Sequence, residues 1–362
     1  MNRVPAPMGL IAELTHRCPL QCAYCSNPLA MVAPREELTT GQWLRIITEA
    51  ADIGILQLHL TGGEPMIRPD LPQIVAHAAA RGLYTNLITS GVLLTDAAMA
   101  DLLAAGIDHI QLSFQGAEAV AADRMGGYNG GHARKLDAAR RIREAGLTLT
   151  TNFVLHRLNI VDLPAMLALG ENLGSDRIEI AHTQYYGWAL KNRAALLPSR
   201  PQLERATMQV EAARERLMGR IVIDYVVPDY YAELPKACMG GWGNRFIHLL
   251  PSGKALPCHA AETIPGMTFA SVRDTSLAAI WQNDPAFDRF RGTGWMPEPC
   301  KSCDRREIDW GGCRCQALAL LGDAAATDPV CHRSPDHALM AELTDDHTES
   351  PPSLVPRRLK GA

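Results

Sequence analysis

Gly9-Leu10-Ile11-Ala12-Glu13-Leu14-Thr15-His16-Arg17-Cys18-Pro19-Leu20-Gln21-Cys22-Ala23-Tyr24-Cys25 is the stretch that decides how the rest of the chain is read. Gly9–Leu14 is a short apolar run of strand length. The chain then enters a loop with three cysteines spaced Cys-x3-Cys-x2-Cys. A strand opening into a chemically equipped loop is the first half of a βα unit. In a barrel such loops lie at the C-terminal face, where active sites sit.

The pattern repeats outward from this stretch. Leu56–Leu60, Tyr84–Thr89, His109–Ser113, Leu147–Leu155 and Arg177–Ala181 read as further buried strands. Between them Thr40–Ile53, Leu71–Arg81, Thr95–Ala105, Gly131–Ala145 and Asp162–Leu173 read as helices, with Thr95 and Asp96 placed to cap the third. Alternating βαβα units imply an α/β fold with a parallel sheet and right-handed crossovers. Six strands rather than eight predict a partial (β/α)6 TIM-like barrel. A helix over Ser199–Met218 and the strand-like Ile221–Val227 complete this part. Beyond Pro228 Gly, Pro and Cys become frequent and periodicity fades, so that segment is expected to lean on metal sites for its fold. The expected organisation is a barrel over 1–227, a Cys-rich domain over 228–346 and a mobile, Pro-, Ser- and charge-rich tail over 347–362.

Composition narrows the function. The 362 residues are 47% hydrophobic and 20% charged with a formal net charge of -4, which gives no argument for a general affinity for nucleic acid or anionic membrane. No apolar run approaches the roughly 18–20 residues of a membrane span. Met1–Leu10 has no apolar signal-peptide core, so a cytoplasmic location is expected. In a reducing cytosol, clustered cysteines bind metal or do redox chemistry more often than they form disulfides. Three of the ten cysteines lie between Cys18 and Cys25, seven between Cys238 and Cys331, and none between these groups. The split predicts two cofactor regions.

Three thiolates within eight residues suit three irons of a [4Fe–4S] cube, which normally takes four. The fourth iron is then open to a substrate or cofactor. The alternative is a structural zinc site with His16 as fourth ligand. The triad, with Tyr24 before its last cysteine, resembles that of radical S-adenosylmethionine (SAM) enzymes. Thr61-Gly62-Gly63-Glu64-Pro65 resembles their GGEP motif, and Thr89-Ser90-Gly91, Ser113 and Asn152 resemble their polar contacts to SAM. The resemblance implies that SAM chelates the open iron and that one electron splits it to a 5′-deoxyadenosyl radical. It makes Tyr24, Gly62, Gly63, Glu64, Thr89, Ser90, Ser113 and Asn152 cofactor-contact candidates. The glycines are expected to let backbone approach the SAM ammonium. Taken singly, the Gly pair also reads as an ordinary loop and the hydroxyls as helix caps.

Cys238, Gly253-x4-Cys258, Cys300-x2-Cys303, Cys313-x-Cys315 and Cys331 resemble the SPASM domain of peptide-modifying radical SAM enzymes, which carries two auxiliary iron–sulfur clusters. That pattern runs Cys-x2-Cys-x5-Cys-x3-Cys, and its third position is Asp309 here. Asp309 is either a solvated loop acid or an oxygen ligand, unusual on such a cluster. The resemblance implies Cys238, Cys258, Cys313 and Cys315 on the first auxiliary cluster, [2Fe–2S] or [4Fe–4S]. It implies Cys300, Cys303, Asp309 and Cys331 on the second, a [4Fe–4S].

Glu13–Leu29, Thr85–Gly91, Gln184–Ala189, Trp295–Cys300 and Gly311–Ala317 further resemble the peptide cyclases of pyrroloquinoline quinone (PQQ) synthesis, as does the position of Asp309. The resemblance runs from about Leu10 to about Pro335. It implies a carbon–carbon crosslink between a Glu and a Tyr side chain of the precursor peptide PqqA. It also implies a PqqD-type peptide chaperone acting in trans, since only about ten residues precede the first strand, and a flavodoxin-like electron donor. Tyr185, Tyr186 and Trp188 are expected at the barrel mouth, against adenine or substrate or as core. Rival readings are another SPASM maturase, sulfatase-maturing or thioether-forming, and a metal-stabilised peptide-binding scaffold without chemistry.

Overall fold

A computed structural model describes residues 4–237, 240–345 and 353–358. Strands β1 (Gly9–Glu13), β2 (Gln57–Thr61), β3 (Tyr84–Thr89), β4 (His109–Phe114), β5 (Thr148–Leu155), β6 (Arg177–His182) and β7 (Val222–Val226) pair in parallel with their sequence neighbours. The crossovers carry helices α1 (Thr40–Asp52), α2 (Leu71–Ala80), α3 (Asp96–Ala104), α4 (Ala119–Gly126), α5 (Gly131–Glu144), α6 (Leu163–Asn172), α7 (Gly187–Lys191), α8 (Arg193–Leu196) and α9 (Arg200–Leu217). The parallel α/β architecture is the one expected, and the longer helices begin and end within a residue or so of their predicted bounds.

Alternation along the strands separates two environments. On β4, Ile110, Leu112 and Phe114 are fully buried beneath the helices, whereas His109, Gln111 and Ser113 turn to the inner face. The outer layer is the main core: α1 presents Trp43, Ile46, Ile47 and Ala50, all fully buried. Burial of each large side chain there is worth about 1.5–3 kcal/mol. Thr95 caps α3 as predicted, accepting a 3.2 Å hydrogen bond from the Ala98 amide. The inner face is polar and lines open space, which leaves the mouth available for ligands.

Three features differ from expectation. The sheet has nine strands: beyond the six of the expected barrel and the strand-like Ile221–Val227, which is β7 at one edge, the unexpected β8 (Phe246–Leu249) pairs in parallel with β1 at the other, followed by β9 (Ala255–Leu256). The segment beyond 228 thus contributes two strands to the barrel sheet. Residues 353–358, expected in a mobile tail, lie against the triad loop, where Arg357 is buried. The tail's remaining residues, 347–352 and 359–362, lie outside the described residues. Beyond β9 the chain forms short pieces: α10 (Leu277–Asn283), α11 (Pro285–Asp288), α12 (Arg306–Asp309), α13 (Arg314–Leu321) and α14 (Ala338–Asp345). Among the described residues, no helix is long and apolar enough to cross a membrane.

Candidate iron–sulfur and SAM site

The loop after β1 is fastened to the structure at several points. The Gly63 amide donates to Thr15 O at 2.6 Å and the Glu64 amide to Arg17 O at 2.7 Å. The Ala189 amide donates to Cys25 O at 3.0 Å, and the Asn192 amide nitrogen Nδ2 to Ala23 O at 2.8 Å. The Gly62–Gly63 pair is required by this approach. A Cβ on Gly63 would lie 2.2 Å from Arg17 O, and one on Gly62, at φ 134°, 2.3 Å from Thr15 O. Contact between two loops thus already demands the glycines expected for SAM.

Cys18, Cys22 and Cys25 line one cavity with Tyr24, Gly62, Gly63, Thr89, Ser90 and Ser113, around about 950 Å³ of empty space. Of the predicted contacts, Glu64 and Asn152 do not line it. Glu64 is fully buried: it accepts from Thr89 Oγ1 at 2.6 Å, from the Ser90 amide at 2.8 Å and from the Ser90 hydroxyl. It ties the loop after β2 to the loop after β3. Asn152 stands between Ser113 and Glu179 in the strand register and hydrogen-bonds Glu179, whose carboxyl burial pushes upward. The Tyr24 hydroxyl is hydrogen-bonded to Gln115 and Cys22, and its ring lies 5.7 Å from that of His156.

Burial pushes the Cys18 thiol up to about 12 and Cys25 up to about 11, and raises Cys22 as well. Thiols this deep ionise only with strong cationic partners, and three of them around one cavity fit an iron cluster with an open coordination position. The zinc alternative does not fit. His16 Nε2 lies 2.7 Å from Glu13 Oε2, and its Nδ1 accepts from the Val32 amide at 2.9 Å, so both ring nitrogens are engaged. Glu13 Oε1 holds His248 of β8 at 2.9 Å. Against the opposing effect of burial, the two histidines hold the Glu13 carboxyl well below the usual carboxylate range.

Two further groups form in the Cys-rich part. The Cys315 thiol is hydrogen-bonded to both Cys258 and Cys313, which with burial drives it well above its ordinary value. Cys238, expected in this group, lies outside the described residues. Separately, Cys300, Cys303, Asp309 and Cys331 line a single small cavity. Asp309 is 7% exposed, so it is not a solvated loop acid. Trp310, with φ 54°, reverses the chain directly after it, a conformation rare for a bulky residue. Arg333 Nη1 lies 2.8 Å from Cys303 Sγ.

The aromatics divide. Tyr185 packs edge-on against Tyr230 with ring centres 5.2 Å apart, and Trp188 carries Lys191 over its face at 5.5 Å. The Tyr186 hydroxyl reaches Cys313 Sγ at 3.1 Å, bridging the barrel mouth to the auxiliary group. Sequence reading missed Lys135, buried on α5 and donating to Ser113 O and Gln115 Oε1, each at 2.6 Å. It also missed Arg357. A lysine among the arginines of an amphipathic helix and an arginine in a polar tail carry no local signal.

Known proteins share this combination of sheet, triad loop and cysteine-rich extension. Residues 12–170 match the radical SAM superfamily and residues 238–304 the iron-sulfur cluster-binding SPASM domain. Among solved structures, Streptococcus suis SuiB bound to S-adenosylmethionine matches with TM-score 0.74 and 19% identity over 92% of this chain and 78% of that one, a likeness of fold. In sequence, a PqqA peptide cyclase of Granulibacter bethesdensis is 61% identical over 100% of this chain and 97% of its own length. A PqqA peptide cyclase of Methylorubrum populi is 56% identical over 98% and 93%. The chain is a radical SAM enzyme with a SPASM extension, and it belongs to the PqqA peptide cyclase family. As a member it uses SAM, a [4Fe–4S] cluster and auxiliary iron–sulfur clusters.

Proposed function

We propose that the chain crosslinks a Glu and a Tyr side chain within the peptide PqqA, an early step of PQQ synthesis. A C–H bond at the Glu γ-carbon and one on the Tyr ring are replaced by a single C–C bond, with loss of two hydrogens. When bound at the first cluster, SAM would supply the hydrogen-abstracting radical. In this reading Cys18, Cys22 and Cys25 hold that cluster, Cys238, Cys258, Cys313 and Cys315 the first auxiliary one, and Cys300, Cys303, Asp309 and Cys331 the second. Nuclearities of [2Fe–2S] or [4Fe–4S] for the first auxiliary cluster and [4Fe–4S] for the second go with it.

The chain's own residues prepare the site. Leu20, Ile88 and Val154 give the triad cavity apolar wall, which keeps water from a reactive radical. Tyr24 and Lys135 order the polar groups behind Cys22 and Ser113. Tyr186 gives the auxiliary group a hydrogen-bonded contact with the barrel mouth, where the electron released on rearomatisation has to leave. The observation that carries the specific reading is the burial of Asp309 in one cavity with Cys300, Cys303 and Cys331. A PqqD-type chaperone presenting the peptide, a flavodoxin-like donor and a cytoplasmic setting complete the proposal. Mass spectrometry of PqqA and PqqD incubated with enzyme, SAM and reductant tests it. A peptide lighter by two hydrogens, linked between Glu and Tyr, is expected, and an unchanged peptide beside turned-over SAM would overturn it.

A further inference from the structure

The described C-terminal segment 353–358 returns to the triad loop from the far end of the sequence. Asn192 clasps both: its Nδ2 donates to Ala23 O and to Val355 O, each at 2.8 Å, and its Oδ1 accepts from the Val355 amide at 2.8 Å. Leu354 joins the apolar cluster that Tyr24 packs against. The Arg357 amide donates to Gln21 O at 3.2 Å. Its guanidinium donates from Nη2 to His16 O and from Nη1 to Leu20 O at 3.4 Å. Arg357 is 3% exposed and lines the same cavity as Cys18, Cys22 and Cys25. Among the described residues its Nε has no hydrogen-bond partner.

A buried guanidinium is costly unless anions and acceptors meet it. Here the backbone carbonyls satisfy the two terminal nitrogens and leave the charge facing three thiols. The spare N–H remains for an acceptor in the cavity.

We propose that Arg357 is a positioning residue of the first cluster: carried in by the 353–358 strap, its fixed positive charge stabilises the reduced, more negative cluster. Charge and hydrogen bonds near a cluster set its reduction potential. Removing a cation therefore makes reduction harder. The inference rests on Cys18, Cys22 and Cys25 holding the cluster; the iron content of wild type and its loss in C18A test that assignment separately.

The test is an anaerobic EPR-monitored redox titration of reconstituted holoenzyme, following the cluster signal that changes on adding SAM. R357Q is expected to move its midpoint to a more negative potential and R357K to keep it near wild type. N192A, which unclasps the strap without touching Arg357, is expected to shift it the same way as R357Q. A midpoint in R357Q equal to wild type overturns the proposal. If R357Q does not hold the cluster, R357K decides: full iron and a wild-type midpoint support the charge role, and equal loss in both variants overturns it.

Discussion

The triad loop and the Cys-rich extension present cysteines for the same purpose, yet they are built on opposite principles. Cys18, Cys22 and Cys25 ride on a loop held by backbone hydrogen bonds to the turn after β2 and to α7, above a parallel sheet with a continuous core. Cys258, Cys313 and Cys315 belong to a small cluster with Trp242, Leu256 and Phe290, and α11 and α12 have only four residues each. Secondary structure shapes the first site before any metal arrives. In the second region the ligands themselves supply much of the cohesion, as in small metal-dependent folds.

The largest expected effect separates the two directly. Removing iron and sulfide by chelation should expose the stretch around Cys300–Cys331 to protease while the barrel stays protected, read by mass spectrometry of the first cleavage sites. Cys18→Ala should bring 5′-deoxyadenosine formation to background yet change barrel stability by only about 1 kcal/mol or less. Equal loosening of both regions on chelation would remove the distinction.

That contrast also governs what could be read from sequence. The barrel helices were legible because their caps and apolar spacing are local: Thr95 before α3 and the buried Trp43, Ile46, Ile47 and Ala50 of α1 are written in consecutive residues. The metal-ligand candidates were legible because cysteine spacing is local too, and Asp309 stood out by its place within that spacing. β8 was not, since Phe246–Leu249 is four residues whose identity as a strand lies in a pairing with β1 more than two hundred positions away. Glu64 was legible as part of a motif, but its role as a tie to Thr89 and Ser90 depends on how two loops meet. Arg357 could not be found at all without the fold that closes the distance.

The next effect tests whether backbone contact alone fixes the triad loop. Gly63→Ala places a Cβ 2.2 Å from Arg17 O. Relief by moving the loop should cost about 1–3 kcal/mol. Cluster content should fall with the thermal midpoint, while protease resistance of the Cys-rich region is unchanged. Glu64→Gln is milder, because the amide keeps one acceptor but offers N–H donors where Thr89 and Ser90 also donate. A loss of about 0.5–1.5 kcal/mol is expected, with a weaker SAM affinity measured by equilibrium dialysis as the loop after β3 loosens.

Acid should sharpen the comparison from the other side. Burial holds His156 and His182 of the barrel down to about 3, far below the ordinary 6.5. The unfolded chain therefore takes up protons at these sites as pH falls through about 6.5, whereas the folded barrel does not until about 3. Stability is full above the unfolded value and declines as pH drops, by about 2 kcal/mol per histidine on reaching about pH 5. Denaturant titrations of the barrel signal over that window should show the decline, and His182→Gln should remove its share of the slope while leaving the chelation response of the Cys-rich region as it was. An unaltered slope in H182Q would mean that the acid response of the barrel arises elsewhere.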